Sequence, residues 1–209
     1  NEWDEAGGFP RELYRKASQA GLLGLGYPEE YGGTPCDIFY KLILSEELAR
    51  GGAGGVCASL MSHTIGSPPI LAAGSAAMKQ RVLPAVLAGE KISALAITEP
   101  SGGSDVASLR TTAILEGDHY VVNGEKTFIT SGMRADYYSV AVRTNPADRG
   151  AGGVSLLLIE RDTPGFSRTE LKKMGWWASD TATLHFENCR VPAANLIGEE
   201  NRGFPIVMR

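Results

Sequence analysis

Two short stretches of the 209-residue sequence concentrate groups able to hold a small molecule. The first, Ala96-Ile97-Thr98-Glu99-Pro100-Ser101-Gly102-Gly103-Ser104-Asp105, packs hydroxyls, glycines and a proline into one turn. Pro100 biases Glu99 toward extended backbone, while Gly102 and Gly103 allow successive N–H groups to converge as a nest for an anionic oxygen. Ser101 and Ser104 add hydroxyl donors. An ordinary solvent-facing turn has the same composition, so the residues alone leave both readings open. The second stretch is Gly124-Glu125-Lys126-Thr127-Phe128-Ile129-Thr130-Ser131-Gly132. Strand alternation puts Phe128 and Thr130 on one face, and an aromatic plane beside a hydroxyl suits a flat heterocycle with a ring nitrogen. The competing reading makes Phe128 core and Thr130 a strand filler.

Other chemistries find little support. The sequence has no G-x-G-x-x-G after a strand, no Walker motif, no G-x-S-x-G and no H-E-x-x-H. His63, His119 and His185 fall on separate elements and are expected to be structural. His185 and Cys189 on one strand stand about 13 Å apart with no third ligand near, so no metal site is expected. Cys36, Cys57 and Cys189 are odd in number and lack C-x-x-C spacing, which fits a reducing compartment. The 20 Lys and Arg are scattered against 24 Asp and Glu, for a net charge of −4, so no nucleic-acid surface is expected. Apolar runs such as Leu156–Ile159 fall far short of the roughly 18 residues of a membrane helix, so neither is a membrane partner. The chain opens on Asn1 without a signal sequence or basic presequence, and the apolar pattern from Gly203 breaks off at Arg209, so a fragment is expected.

The elements that must position these stretches fall into two textures. Residues 1–91 carry helical punctuation: Pro10 opens one amphipathic helix that ends before Gly21 or Gly24. Asp37 caps a second, with Ile38, Leu42, Ile43 and Leu48 as an apolar stripe and Gly51 at its end. A third runs from Val56 to about Ile65, and a fourth from Ser75 to Gly89, kinked or late-starting because of Pro84. After Lys91, short β-branched and aromatic runs alternate with Gly, Asn and Asp. Glu116-Gly117-Asp118 and Asn123-Gly124 read as tight turns, predicting a meander of Leu109–Leu115, His119–Val122 and Lys126–Thr130. Further strands are predicted at Tyr137–Arg143, Val154–Glu160 and Thr183–Glu187, and a mobile surface loop at 145–153. Helices followed by antiparallel strands make the fold class α+β and disfavour a Rossmann site.

Together with Pro28-Glu29-Glu30-Tyr31-Gly32-Gly33, the two stretches resemble the acyl-CoA dehydrogenase flavoproteins. So do Met174-Gly175-Trp176-Trp177-Ala178-Ser179-Asp180-Thr181, Phe186–Pro192 and Asn195-Leu196-Ile197-Gly198. The resemblance covers essentially the whole chain. It implies an N-terminal helical domain (1–91), an antiparallel β-barrel domain (92–199) and the start of a C-terminal helical domain (200–209). The rest of that third domain, which mediates tetramer or dimer assembly, is missing.

The resemblance also implies FAD as cofactor, with Leu95, Ala96, Ile97, Thr98, Gly103, Ser104, Phe128, Ile129 and Thr130 along it. Gly103 and Ser104 approach the diphosphate, Thr130 meets flavin N5, and Ser104 also touches the acyl-CoA substrate. Phe128 stands where the family usually has Trp, Leu95 where an aromatic is frequent, and Trp177 where arginine is common. In the family a glutamate removes the α-proton of the thioester while the β-hydrogen leaves as hydride, giving a trans-2-enoyl-CoA and passing electrons to electron-transfer flavoprotein. That glutamate lies beyond Arg209, so no catalytic base is named here. Glu99 is read as a solvated or hydrogen-bonded anchor. The implied location is bacterial cytoplasm or the mitochondrial matrix of a eukaryote. Two alternatives stand beside this reading: an oxygen-using relative, as an acyl-CoA oxidase or flavin monooxygenase, and a non-catalytic scaffold of the same fold.

Overall fold

The computed structural model describes residues 2–148 and 150–208. Helices α1 (Glu2–Glu5), α2 (Glu12–Gln19), α3 (Ile38–Arg50), α4 (Gly54–Leu60), α5 (His63–Gly66), α6 (Pro68–Ala73) and α7 (Ala76–Leu87) come first. Strands β1 (Ser93–Ala96), β2 (Thr112–Glu116), β3 (His119–Thr130), β4 (Tyr137–Arg143) and β5 (Val154–Glu160) follow. Then come β6 (Phe166–Glu170), β7 (Thr181–Pro192), β8 (Leu196–Ile197) and a last helix, α8 (Gly203–Val207).

The helical caps act as the residue types require. Asp37 accepts from the Phe39 N–H at 2.9 Å and Ser75 from the Met78 N–H at 3.2 Å, each satisfying a first-turn donor. Helix α7 starts at Ala76 and continues through Pro84, so the late start does not occur. Its cap fixes the first turn, and Met78, Val82, Leu83, Val86 and Leu87 bury its inner face. The single helix expected over 56–65 is instead two, α4 and α5, broken at Met61 and Ser62. The apolar stripe of α3 finds no cover among the described residues. No residue of the helix is buried, and Ile38, Leu42 and Ile43 are 56–60% exposed.

The strands pair in the order β6-β7-β3-β2-β4-β5-β8, with β1 beside β4. Most neighbours are antiparallel, but β1 runs parallel to β4, and β2 meets β4 in parallel at Thr112 and Arg143. Among the described residues no pairing joins β6 to β8, so the expected barrel is not closed; the sheet is open. Strands β4 and β5 are buried on both faces. Val140, Val142, Leu157 and Ile159 join one apolar cluster, while Ala141, Leu156 and Leu158 join a second with Ile70 and Leu83.

The three-stranded meander is corrected to two strands, because Asn123-Gly124 lies inside β3. Asn123 Oδ1 accepts from the Asn188 N–H at 2.8 Å, across a register break in the pairing with β7. Gly124, at φ +141°, passes so close to Thr111 that a Cβ would lie 2.7 Å from its Cα. A bulge therefore replaces the turn, and the glycine serves close approach. Strand β6 was not foreseen, and β7 extends well beyond Thr183–Glu187 at both ends. The loop between β4 and β5 is held by Arg143, whose guanidinium donates to Asp148 O and Gly150 O.

The helical and sheet regions touch beside the β6–β7 loop. Gly54 and Gly55 pack directly on Trp176, and Asp4 Oδ1 accepts from the Ala178 N–H at 2.9 Å. Among the described residues no helix is long and apolar enough to cross a membrane.

Candidate functional site

The two chemistry-bearing stretches meet at the end of β1. Its ladder with β4 finishes at Ala96 opposite Val140, and the chain then turns toward β3. Thr98 O accepts from the Thr127 N–H at 2.8 Å, and Ile97 O from Lys126 Nζ at 2.9 Å. Beyond this, Glu99 and Gly102 exchange both backbone hydrogen bonds, at 3.1 and 3.0 Å, closing a tight turn. The nest expected at Gly102 and Gly103 is not formed. Neither glycine takes a positive φ, and the Gly102 N–H is committed to Glu99 O. Gly103 lies instead against Thr98, where a Cβ would sit 3.0 Å from Cγ2, and Ser104 is exposed at the outer edge.

Glu99 is the anchor of this turn. Its carboxylate accepts from the N–H groups of Arg110 (2.6 Å) and Thr111 (2.8 Å) and from Lys126 Nζ (2.8 Å). Both side chains of the pair are buried, Lys126 completely. Burial works to raise the Glu99 pKa, but the Lys126 charge and the hydrogen bonds outweigh it and hold the carboxyl below its usual range. Burial pulls the Lys126 ammonium down to about 8 against the opposing pull of Glu99.

Strand alternation fails at one step just before Phe128. Lys126 pairs with Leu184 and Ile129 with Ala182, so Thr127 and Phe128 together face Thr183 in a bulge. Phe128 takes φ +59°, an uncommon conformation for a bulky residue, and stands 69% exposed. Ile129 is buried at 3% and Thr130 half-buried opposite Thr181, so the outward-facing order resumes at Phe128. The turn after Thr130 is fixed by Asp180. Its carboxylate accepts from the N–H groups of Met133 (2.7 Å) and Arg134 (3.2 Å), from Arg134 Nε, and from Ser59 of α4. Ser59 and Ser131 share a hydroxyl contact of 2.8 Å, and Tyr14 O–H donates to Ser59 O.

Leu95 and Ala96 occupy β1; Ala96 is buried, while Leu95 lines an apolar cleft of about 510 Å³ with Thr64, Ile65, Pro68, Leu71 and Val207. The structure thus brings Ile97–Thr98 against Lys126–Thr127, the residues that lead into Phe128–Thr130, with Gly103 and Ser104 at the margin. Sequence reasoning passed over Lys126, Asp180 and Ser59. A lysine inside the second stretch and an aspartate just before β7 look like solvated residues until their backbone partners are known.

His63 and Cys189 are core residues, and His185 lies opposite Glu125 with its Nδ1 3.3 Å from that carboxylate. His63 Nε2 contacts Leu23 O at 2.9 Å, and burial lowers its pKa to about 4. Burial pushes the Cys189 thiol up to about 12. Among the described residues no group of three or more His, Cys, Asp or Glu is placed to hold a metal.

Two family models match the sequence: the acyl-CoA dehydrogenase N-terminal domain over residues 1–90 and the middle domain over residues 94–189. An acyl-CoA dehydrogenase of Bacillus subtilis is 41% identical over 203 residues, covering 96% of this chain and 53% of that protein. The mitochondrial long-chain specific acyl-CoA dehydrogenase of Sus scrofa is 41% identical over 210 residues, 100% of this chain and 49% of its own. The crystal structure of acyl-CoA dehydrogenase from Geobacillus kaustophilus matches with a TM-score of 0.94 at 44% identity, over 100% of this chain and 55% of that one. The chain spans about half the length of the curated relatives it matches.

Proposed function

The chain belongs to the acyl-CoA dehydrogenase family, and from that premise we propose that the full-length protein converts an acyl-CoA thioester to its trans-2-enoyl-CoA with FAD, delivering electrons to electron-transfer flavoprotein. Members of the family are FAD-dependent oxidoreductases. The observation that carries the reading is the Thr127–Thr98 hydrogen bond, which sets the two stretches side by side beneath an exposed Phe128 ring.

These residues fit a flat flavin. An aromatic held outward at φ +59° offers its face to a planar ring, and Thr130, half-buried on the same outward series, offers a hydroxyl to a ring nitrogen. In this reading Leu95, Ala96, Ile97, Thr98, Phe128, Ile129 and Thr130 hold the ring system, Gly103 and Ser104 meet the diphosphate, and Ser104 also meets the thioester ligand. FAD, when bound, supplies the two-electron acceptor.

A thioester α-proton is too weakly acidic for a carboxylate in water, so the protein must hold the substrate rigidly and exclude solvent. The apolar walls of the Leu95 cleft suit water exclusion, and the pinned backbone of Ile97–Thr98 suits orientation. The proton-abstracting glutamate belongs, in this reading, to sequence beyond residue 209. The same reading divides the chain into a helical domain (1–91), a β domain (92–199) and the start of a third domain (200–209). It makes the assembled protein a homotetramer or homodimer in bacterial cytoplasm or a mitochondrial matrix.

Anaerobic titration of the full-length, FAD-loaded protein with acyl-CoAs of graded length and branching tests the reaction. Bleaching of the flavin absorbance by one or more supports it, and a yellow protein that no thioester reduces refutes it. Thr130→Val in the same protein is expected to slow single-turnover flavin reduction by about 1–3 kcal/mol of barrier. An unchanged rate removes Thr130 from the site. A second reading, an oxygen-using relative, draws on the neighbouring prolyl acyl carrier protein oxidase structure, which matches at TM-score 0.92 and 35% identity. Rapid reoxidation of the reduced protein by air would favour it.

A further inference from the structure

Lys126 is fully buried, in a strand whose other charged side chains reach water, and it spends its ammonium on two partners of one loop: Ile97 O at 2.9 Å and Glu99 Oε1 at 2.8 Å. Glu99 in turn collects the N–H groups of Arg110 and Thr111 at the entrance to β2. One ion pair therefore joins β3, the loop after β1 and the segment leading into β2.

Stability alone is a poor explanation for such a pair. Replacing a buried ion pair by apolar groups of similar volume is often neutral or stabilising, because both charges must be stripped of water. What the pair supplies that apolar groups cannot is a directional hold on backbone. The β1 ladder ends at Ala96, so beyond it the Ile97 carbonyl is held by Lys126 and the Thr98 carbonyl by Thr127, the next residue of the same strand. Lys126 is also the last residue in register before the bulge that turns Phe128 outward. The Lys126 side chain and the Thr127 N–H thus hold the loop beside the bulge.

Resting on the proposed FAD site, we propose that the Glu99–Lys126 pair is a clasp whose task is to position the Ile97–Thr98 backbone against the flavin, with Lys126 as a positioning residue. Pre-setting a binding loop in its bound shape strengthens binding by removing the ordering cost from the binding step. The clasp should therefore act on cofactor affinity and on the flavin environment beyond its effect on the fold.

The test uses the full-length FAD-loaded protein and the double variant Glu99→Gln/Lys126→Met, which removes both charges together and leaves neither unpaired. FAD dissociation constant, visible flavin spectrum and Tm are measured separately. The clasp predicts a dissociation constant raised at least 10-fold, with a shifted flavin spectrum, in a protein whose Tm stays within a few degrees of the parent. A double variant with parental affinity and spectrum overturns it, whatever its Tm. If the double variant does not fold, Glu99→Gln alone decides. A dissociation constant raised 3-fold or more together with a shifted flavin spectrum, measured at a temperature where that variant is folded, supports the clasp, and an unchanged one overturns it. A parent protein that takes up no FAD overturns the functional reading and the clasp with it. A parent that binds FAD beside variants that bind equally well overturns the clasp alone.

Discussion

Among the described residues, the buried charged side chains Glu99, Lys126, Arg143 and Asp180 all belong to the sheet region, whereas the helical region buries Ser59, Ser62, Ser67 and a neutral His63. The cause lies in backbone hydrogen bonding. A helix satisfies most of its own N–H and C=O groups, so contacts between helices need only a hydroxyl here and there. Loops that leave a sheet carry backbone groups with no strand partner, and burying them requires a group that can take several at once. Glu99 takes two N–H groups, Asp180 takes two, and Arg143 donates to the carbonyls of Leu109, Ala107, Asp148 and Gly150. Charge is buried where the chain is irregular, and the irregular chain borders the candidate site.

The sharpest break in that comparison would come from Asp180. Asp180→Ala leaves the Met133 N–H without its acceptor and strips the Arg134 guanidinium of its carboxylate, with only Phe9 O remaining to it among the described residues, and a loss of about 3–5 kcal/mol in urea unfolding is expected. A loss near that of a hydroxyl deletion would show that the charge is dispensable. On the helical side, His63 binds fewer protons folded than unfolded between its lowered pKa of about 4 and its ordinary value. Stability should therefore fall as pH drops from about 6.5 toward 4, by about 2–3 kcal/mol. His63→Gln should flatten that part of the profile; an equal slope in both proteins would show that the imidazole is not the titrating group. The smallest effect is expected from Ser59→Ala, about 1 kcal/mol by the same denaturation assay, because Asp180 keeps its other donors. A loss matching Asp180→Ala would erase the distinction between the two regions.

Much of the architecture was legible where a residue acts on its own neighbours. Asp37 and Ser75 cap the helices their sequence announces, and the apolar runs Tyr137–Arg143 and Val154–Glu160 are strands with those bounds. What escaped depends on partners far along the chain. Phe166–Glu170 is a short, mostly exposed strand at one end of the sheet, with no apolar run to mark it. Asn123-Gly124 has the composition of a turn, and only Thr111 and Asn188 across the sheet show why the strand continues. Closure of the sheet is a property of its two ends and could not be read from the strands themselves.

The candidate site divides the same way. Phe128 and Thr130 were legible as an aromatic and a hydroxyl on one face, but not which way that face turns, and a bulge adjoins them where plain alternation was expected. The nest at Gly102 and Gly103 failed because glycine permits a positive φ without requiring one. Glu99 was readable as an anchor, but its partner Lys126 was not, since nothing local separates a buried lysine from a solvated one. The apolar stripe of α3 shows the opposite case: the pattern was plain, and the described residues contain nothing that covers it.

The contact between the glycines that open α4 and the β6–β7 loop carries an evolutionary consequence. A Cβ at Gly54 would lie 2.7 Å from Trp176 Nε1, and one at Gly55 would lie 3.0 Å from the Trp176 backbone. A side chain at position 54 therefore requires the largely exposed indole at 176 to swing aside, so two positions far apart in the gene vary under a shared constraint, and a lineage that gains bulk at one must move or trim the ring at the other.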